Sequence, residues 1–298
     1  MNRRQFLTRS IQTTAAAIVL PTWVPSRVLG RGQIAPSRRI TIGCIGMGGM
    51  GTGNMNSFLE LDDVRIVAVC DVDASHLRTA KERVDAKYGD TGCAAIKDFR
   101  ELLLRNDIDA ISLATPDHWH AVIGVLAAKS GKDIYGEKPL SHNFNEGRAM
   151  VAAVRAYGRI WQTGSWQRSV DNFRFACELV RNDRIGKVHL VEVGLPSGHS
   201  IRRTGEDDFT VQAPPQELDY DFWLGPAPQA AYFPARTHWN WRWNLDYAGG
   251  QLMDWVGHHV DIAHWGLGYD RTGPVQVEGT GDFPKDGPFN SATQYRLG

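Results

Sequence analysis

Gly43-Cys44-Ile45-Gly46-Met47-Gly48-Gly49-Met50-Gly51 is the stretch on which the fold turns. Gly46, Gly48 and Gly51 fit G-x-G-x-x-G, set between a strand-like run, Ile40 to Ile45, and a helical stretch, Met50 to Leu61. The first glycine permits a tight turn, the second lets backbone approach a pyrophosphate, and the third lets helix pack on strand. The helix start then offers free N–H groups to the phosphates. Asp71 ends the second strand-like run 20 residues after Gly51, where an acid takes the ribose hydroxyls of a dinucleotide. Asp71 and Asp73 would repel a 2′-phosphate and no arginine follows directly, so NAD is expected rather than NADP.

Outward from this string the chain alternates short apolar runs with helical stretches. Val64 to Val69, Ala110 to Ala114 and Asp133 to Tyr135 read as strands; Ala74 to Tyr88, Phe99 to Arg105 and His120 to Lys129 read as helices. A helix from Asn145 to Tyr157 leads to a last strand, Arg159 to Gly164. That rhythm predicts a doubly wound parallel sheet, a Rossmann domain over residues 38–164. A second domain, 165–298, begins with a helix from Asp171 to Asn182 and a strand from Lys187 to Val193. A long loop, Leu195 to Asn244, is rich in proline and tryptophan. The chain stops just after a run, Ala292 to Leu297, that looks like a strand beginning, so the second domain is expected to be C-terminally incomplete.

The composition is globular, 42% hydrophobic and 22% charged, and basic and acidic residues balance at 33 each. No net field favours nucleic acid or an anionic membrane surface, and a small neutral partner suits the chain better. Cys44, Cys70, Cys93 and Cys177 form no C-x-x-C pair, which argues against a metal site or a disulfide framework. At the start, Arg3-Arg4-Gln5-Phe6-Leu7 precedes an apolar run through Ala15 to Leu20 that ends at Pro21. This order predicts a twin-arginine export signal and linker over residues 1–35, handled by the twin-arginine machinery and too short to be a stable membrane anchor. Periplasmic or otherwise exported protein is therefore expected, and a route that carries folded protein lets a dinucleotide leave already bound. Holding it for hours requires a Kd near ~10⁻¹⁰ M.

Three further stretches carry a family resemblance. They are Ala114-Thr115-Pro116-Asp117-His118-Trp119-His120, Gly136-Glu137-Lys138-Pro139, and Gly249-Gly250-Gln251-Leu252-Met253-Asp254-Trp255-Val256-Gly257-His258-His259-Val260-Asp261. With the glycine motif, their order and spacing resemble the Gfo/Idh/MocA family, named for glucose-fructose oxidoreductase and inositol dehydrogenase. The resemblance implies an α/β chain whose Rossmann domain is followed by an α+β domain with an open, mainly antiparallel sheet. It also implies Lys138, Asp254 and His258 as the catalytic group, with His120 near the nicotinamide. A helix-capping or packing histidine is the equal alternative for His120. A homo-oligomer is expected.

The residues support those roles on their own chemistry. The Thr115-Pro116 and Glu137-Lys138-Pro139 loops lie outside the carboxyl ends of their strands, where ligands bind in an open parallel sheet. A lysine there stabilises charge developing on a substrate oxygen. Asp254, His258 and Asp261 recur at i, i+4 and i+7, one face of a helix, so a carboxylate can orient an imidazole one turn away. The family usually has glycine two residues after the aspartate; here that residue is Val256 and the glycine is Gly257, which makes His259 a substitute for His258. Zinc on His258, His259, Asp261 and His264 is disfavoured because His259 points to another face, so no metal is expected. Trp166, Gln167 and Arg168 can line the substrate cleft. In His238-Trp239-Asn240-Trp241-Arg242-Trp243, Trp241 and Arg242 suit a sugar face, although aromatic packing is equally in keeping.

Three functions follow. The first is an NAD-dependent dehydrogenase of a sugar or polyol. The second is a redox-neutral glycosidase or epimerase working through a transient ketone. The third, a binding module without chemistry, is opposed by the acid–base residues.

Overall fold

Six parallel strands in the order β3-β2-β1-β4-β5-β6 form the sheet of this computed structural model, which describes residues 34–35, 38–196 and 208–298. The expected export signal and linker, residues 1–35, lie outside the described residues apart from 34–35. The strands are β1 Ile40–Ile45, β2 Val64–Cys70, β3 Ala94–Ile96, β4 Ala110–Leu113, β5 Asp133–Glu137 and β6 Trp161–Gly164. Between them run α1 Gly49–Leu59, α2 Ala74–Tyr88, α3 Phe99–Leu103, α4 Asp117–Lys129 and α5 Phe144–Ala156. The near-continuous apolar character of β2 follows from helices covering both faces. One buried cluster joins Ile42, Cys44 and Ile66 to Met55 and Leu77 under α1 and α2. Another joins Ile45, Ile111 and Leu113 to Leu102, Ile123 and Ala153 under α3, α4 and α5.

Side-chain caps fix the helix starts: Asp73 accepts from the Ser75 and His76 N–H groups, Asp98 from Arg100, and Asn143 from Glu146. The strand order reverses between β1 and β4, and the crevice at that switch point is where ligands of such sheets bind. The alternating pattern anticipated five of these strands. β3 escaped it, because three residues, Ala-Ala-Ile, are too short for any periodicity.

After β6 come a 3₁₀ turn at Trp166–Ser169, then α6 Asp171–Arg181, α7 Tyr220–Leu224 and α8 Gly250–Leu267. Strands β7 Gly279–Asp282 and β8 Gln294–Leu297 pair antiparallel. The strand expected from Lys187 to Val193 does not form. Those residues are almost wholly exposed and have no partner strand among the described residues, so the apolar pattern has no ladder to join. The core of this half is aromatic, with Tyr220, Trp223, Tyr232, Trp241 and Tyr247 packed together. Trp243, expected in an aromatic run, is fully buried with Phe233 and Phe289.

Two stitches join this half to the sheet. Ala74 N–H donates to Glu217 and Asp219 N–H donates to Val72, at 2.8 and 3.0 Å, bridging Asp73 with Leu218. Trp119 Nε1–H donates to the Trp223 carbonyl at 2.9 Å. No helix among the described residues is long and apolar enough to cross a membrane.

Candidate active site

One cleft runs from the glycine turn to α8 and is lined by Gly46, Gly48, Asp71, Thr115, Pro116, Glu137, Lys138, Trp241, Arg242 and Asp254. At its first end the chain leaves β1 through Gly46, with φ 83°, a conformation that side chains resist. A Cβ on Gly51 would stand 1.8 Å from the Gly46 carbonyl oxygen, so helix and turn touch backbone to backbone. Gly48, at the cap of α1, has nothing within 4 Å of where a Cβ would stand. The first turn of α1 carries no acid. Free N–H groups, positive dipole and open space together fit a pyrophosphate.

Asp71 does more than face the cleft. Its carboxylate accepts from Met47 N–H at 2.6 Å and from Asp73 N–H at 2.8 Å, tying the glycine turn to the end of β2. Burial pushes its pKa up, against the lowering effect of those two donors. Glu137, also buried, accepts from Asn54 Nδ2–H at 2.9 Å through Oε1, while Oε2 has no partner among the described residues. Burial raises its pKa as well. An orphaned buried carboxylate oxygen on the cleft wall fits a donor arriving with a ligand. Asp73, His76 and His238 bring one oxygen and two ring nitrogens within 4.8 Å of one another at this end. Asp73 Oδ1 is already committed to Ser75 and the His76 N–H, so the set reads as a braced turn.

At the far end, Lys138 donates to Asp254 Oδ1 at 2.5 Å and to the Asp254 carbonyl at 3.0 Å. Arg242 Nε stands 3.7 Å from Asp254 Oδ2, so the carboxylate lies between two cations. This corrects the expected pairing of Asp254 with His258. A full positive charge outcompetes a neutral imidazole for the carboxylate. His258 is buried a turn further along α8, outside the cleft lining, with its ring 5.6 Å from Trp166 and Nδ1 without a partner among the described residues. Burial first, and Lys138 second, push its pKa down to about 4. The displaced glycine has a use here: a Cβ on Gly257 would crowd the Lys138 stem at 3.3 Å.

The other sequence candidates divide. His120 is not among the residues that line the cleft. It is 1% exposed, with ring nitrogens 2.7 and 2.9 Å from the Pro139 and Thr115 carbonyl oxygens, so it braces the two loops from behind. Arg168 makes a two-pronged contact with Asp261 at 2.7 and 2.8 Å and also reaches Asp270 at 2.8 Å. Arg168 and Asp261 thus satisfy each other instead of lining the cleft, and Gln167 is buried beside them. Trp166 stays half-exposed next to His258, and His259 packs its ring edge against Trp255 at 5.1 Å. Arg242 stacks on Trp239 and Trp241, its guanidinium 4.3 and 4.5 Å from the ring centres. Trp241 therefore serves both packing and cleft.

Asp117 was not singled out from the sequence. It lines the cleft at 4% exposure, with Lys138, Arg242 and Asp254 as its charged neighbours. Burial pushes its pKa up to about 8. Its place directly after Thr115-Pro116, at the carboxyl end of β4, was the available signal.

Comparison with known proteins extends this geometry. Residues 40–165 match the model of an oxidoreductase family, NAD-binding Rossmann fold, and residues 174–289 match that family's C-terminal alpha/beta domain. An uncharacterized oxidoreductase, YrbE, of Bacillus subtilis is 31% identical over 236 residues, 79% of this chain and 56% of its own. A myo-inositol 2-dehydrogenase of Thermotoga maritima is 31% identical over 152 residues, 51% of this chain and 44% of its own. A glycosyl hydrolase family 109 protein of Shewanella is 29% identical over 160 residues, 49% of this chain and 35% of its own. The chain thus spans about half the length, or less, of the curated relatives it matches. The solved WlbA dehydrogenase of Chromobacterium violaceum, with NADH and UDP-GlcNAcA, shares the fold. Its TM-score is 0.64 at 21% identity, covering 87% of this chain and 63% of that one. With both of its domains matched in order along the sequence, the chain belongs to the Gfo/Idh/MocA family of oxidoreductases, and its first half is an NAD-binding Rossmann domain.

Proposed function

We propose that this protein oxidises a secondary carbinol of a sugar or cyclic polyol, with Lys138, Asp254 and His258 as its catalytic group. The observation that carries this reading is the Lys138–Asp254 ion pair, with side chains 10% and 19% exposed, set in the cleft that begins at the glycine turn. NAD held by the turn, Asp71 and Glu137 supplies a hydride acceptor. Lys138 places positive charge where a substrate hydroxyl gives up its proton, and Asp254, itself approached by Arg242, fixes that ammonium in place. His258, one turn along α8 from Asp254, is kept neutral by burial, the form of an imidazole that accepts a proton. Trp241 and Arg242 offer a flat face and hydrogen-bond donors, which suits a sugar ring.

Asp71 and Asp73 favour NAD over NADP. Export by way of Arg3-Arg4 would carry the cofactor out already bound, and the backbone bridge between Asp73 and Leu218, at the cofactor edge, supports its retention. A retained cofactor requires a second carbonyl compound, or the same substrate reduced again, to close the cycle.

Mass spectrometry of protein purified without added nucleotide is expected to find NAD, and single-turnover mixing with sugars and inositols should raise nicotinamide fluorescence. Lys138→Ala is expected to slow that step about 10²–10⁴-fold while NADH still binds. Protein that emerges empty and binds neither nucleotide would falsify the reading.

A further inference from the structure

Three carboxylates stand near Lys138: Glu137, which Asn54 holds through Oε1, and Asp254 and Asp117, whose situations differ. Asp254 is claimed by Lys138 at 2.5 Å and approached by Arg242 at 3.7 Å, so its two oxygens face cations. Asp117 shares the same cations as electrostatic neighbours, but no other side chain among the described residues hydrogen-bonds to its carboxylate. It is buried on the wall of the cleft, at the first position of α4. A carboxylate that is dry, turned to a ligand cavity and not locked by a cation exchanges protons readily near neutrality. Its pKa near 8 agrees, since both protonation forms coexist there. His258, by contrast, lies outside the cleft lining.

We propose that Asp117 is a second acid–base group of this site, which exchanges the proton on the carbon next to a substrate ketone. The inference rests on the oxidoreductase reading, because the ketone is that reaction's product. Once the ketone exists, the hydrogen on the adjacent carbon is acidic. The Asp117 carboxylate takes that proton, the C–H electron pair forms the carbon–carbon double bond of an enolate, and the carbonyl π pair moves to oxygen beside the Lys138 ammonium. Asp117 then returns the proton to carbon and the ketone re-forms, with no net oxidation. Return to the opposite face inverts that carbon. The substrates are therefore α-hydroxy ketones of sugars or cyclic polyols that carry a hydrogen on the neighbouring carbon.

The test uses 2-keto-myo-inositol, a cyclic ketone with such hydrogens on both sides, as the probe in D₂O. Protein loaded with NAD is followed by NMR for deuterium uptake beside the carbonyl, and protein loaded with NADH is followed by fluorescence for reduction of the same ketone. Wild type is expected to exchange faster than buffer alone. Asp117→Asn should lose about 10²–10⁴-fold in exchange, and its exchange-to-reduction ratio should fall at least about tenfold. A fall of both rates in step means a merely structural role and overturns the proposal, as does exchange that survives in Asp117→Asn but disappears in His258→Ala. Reduction without exchange in wild type overturns it and leaves the oxidoreductase reading standing. Neither reduction nor exchange removes both. NADH titration of Asp117→Asn checks that the variant is folded.

Discussion

The two ends of the cleft are made of different material. The cofactor end is backbone: a glycine carbonyl against a helix, open N–H groups, and a carboxylate that takes its donors from the main chain. The far end is side-chain charge brought from distant stretches, Lys138 meeting Asp254 across 116 residues with Arg242 and Asp117 beside them. A site built of backbone is specified by a short string and tolerates almost no added atom. One built of side chains depends on both halves folding together and can be tuned one group at a time.

The contrast is sharpest at Gly51. A side chain there must displace the main chain of the turn, so Gly51→Val should lose about 10²-fold or more in NADH affinity, equivalent to about 2.7 kcal/mol. Fluorescence titration measures it, and affinity near wild type would show that the turn is softer than its contacts imply. A smaller effect is expected at the far end's support. Arg168→Met removes the contacts to Asp261 and Asp270, part-exposed pairs whose loss, after solvent screening, should lower unfolding stability by about 0.5–1.5 kcal/mol with NADH affinity retained. Denaturant unfolding reads the loss; a raised KM with unchanged stability would return Arg168 to the substrate cleft.

The gentlest effect is on pH dependence. His118 and His258 are held at about 4 by burial, below the value they recover on unfolding. Below about 6.5 the unfolded chain binds protons that the folded one refuses, so stability falls as pH drops toward about 4, by at most about 1.4 kcal/mol per pH unit for each histidine. Asp117 acts in the opposite direction. Its pKa is raised by burial to about 8, so stability falls as pH rises from about 4 to about 8. Denaturation midpoints across this range should show a shallower acid limb in His258→Gln.

The uneven legibility of the sequence has the same root. The β1–turn–α1 unit was readable because each of its constraints is met within nine residues, from Gly43 to Gly51. The spacing of Asp254, His258 and Asp261 correctly put them along one helix, but the sequence held nothing local about which partner each would take. Lys138 and Arg168 arrive from elsewhere and bind two of the three. Asp117 stood within a motif already in view, yet its importance comes from Lys138 and Arg242, which are remote along the chain. His120 had the reverse fate: its motif pointed to the cofactor, while its place on the buried face of α4 turned its ring onto two carbonyls. The strand expected at Lys187 to Val193 shows that an apolar pattern makes a strand only where a neighbour supplies the other half of the ladder.

The short bridge between Asp73 and Leu218 also bears on how such a chain is rearranged by exchange of parts. The edge of the nucleotide domain is completed by main chain from the second half, at Glu217 to Asp219. The second half is therefore not a free cassette. Any graft that brings in a new substrate face must carry its own three-residue clasp for the end of β2, or the recipient will lose grip at its cofactor edge while its glycine motif stays intact.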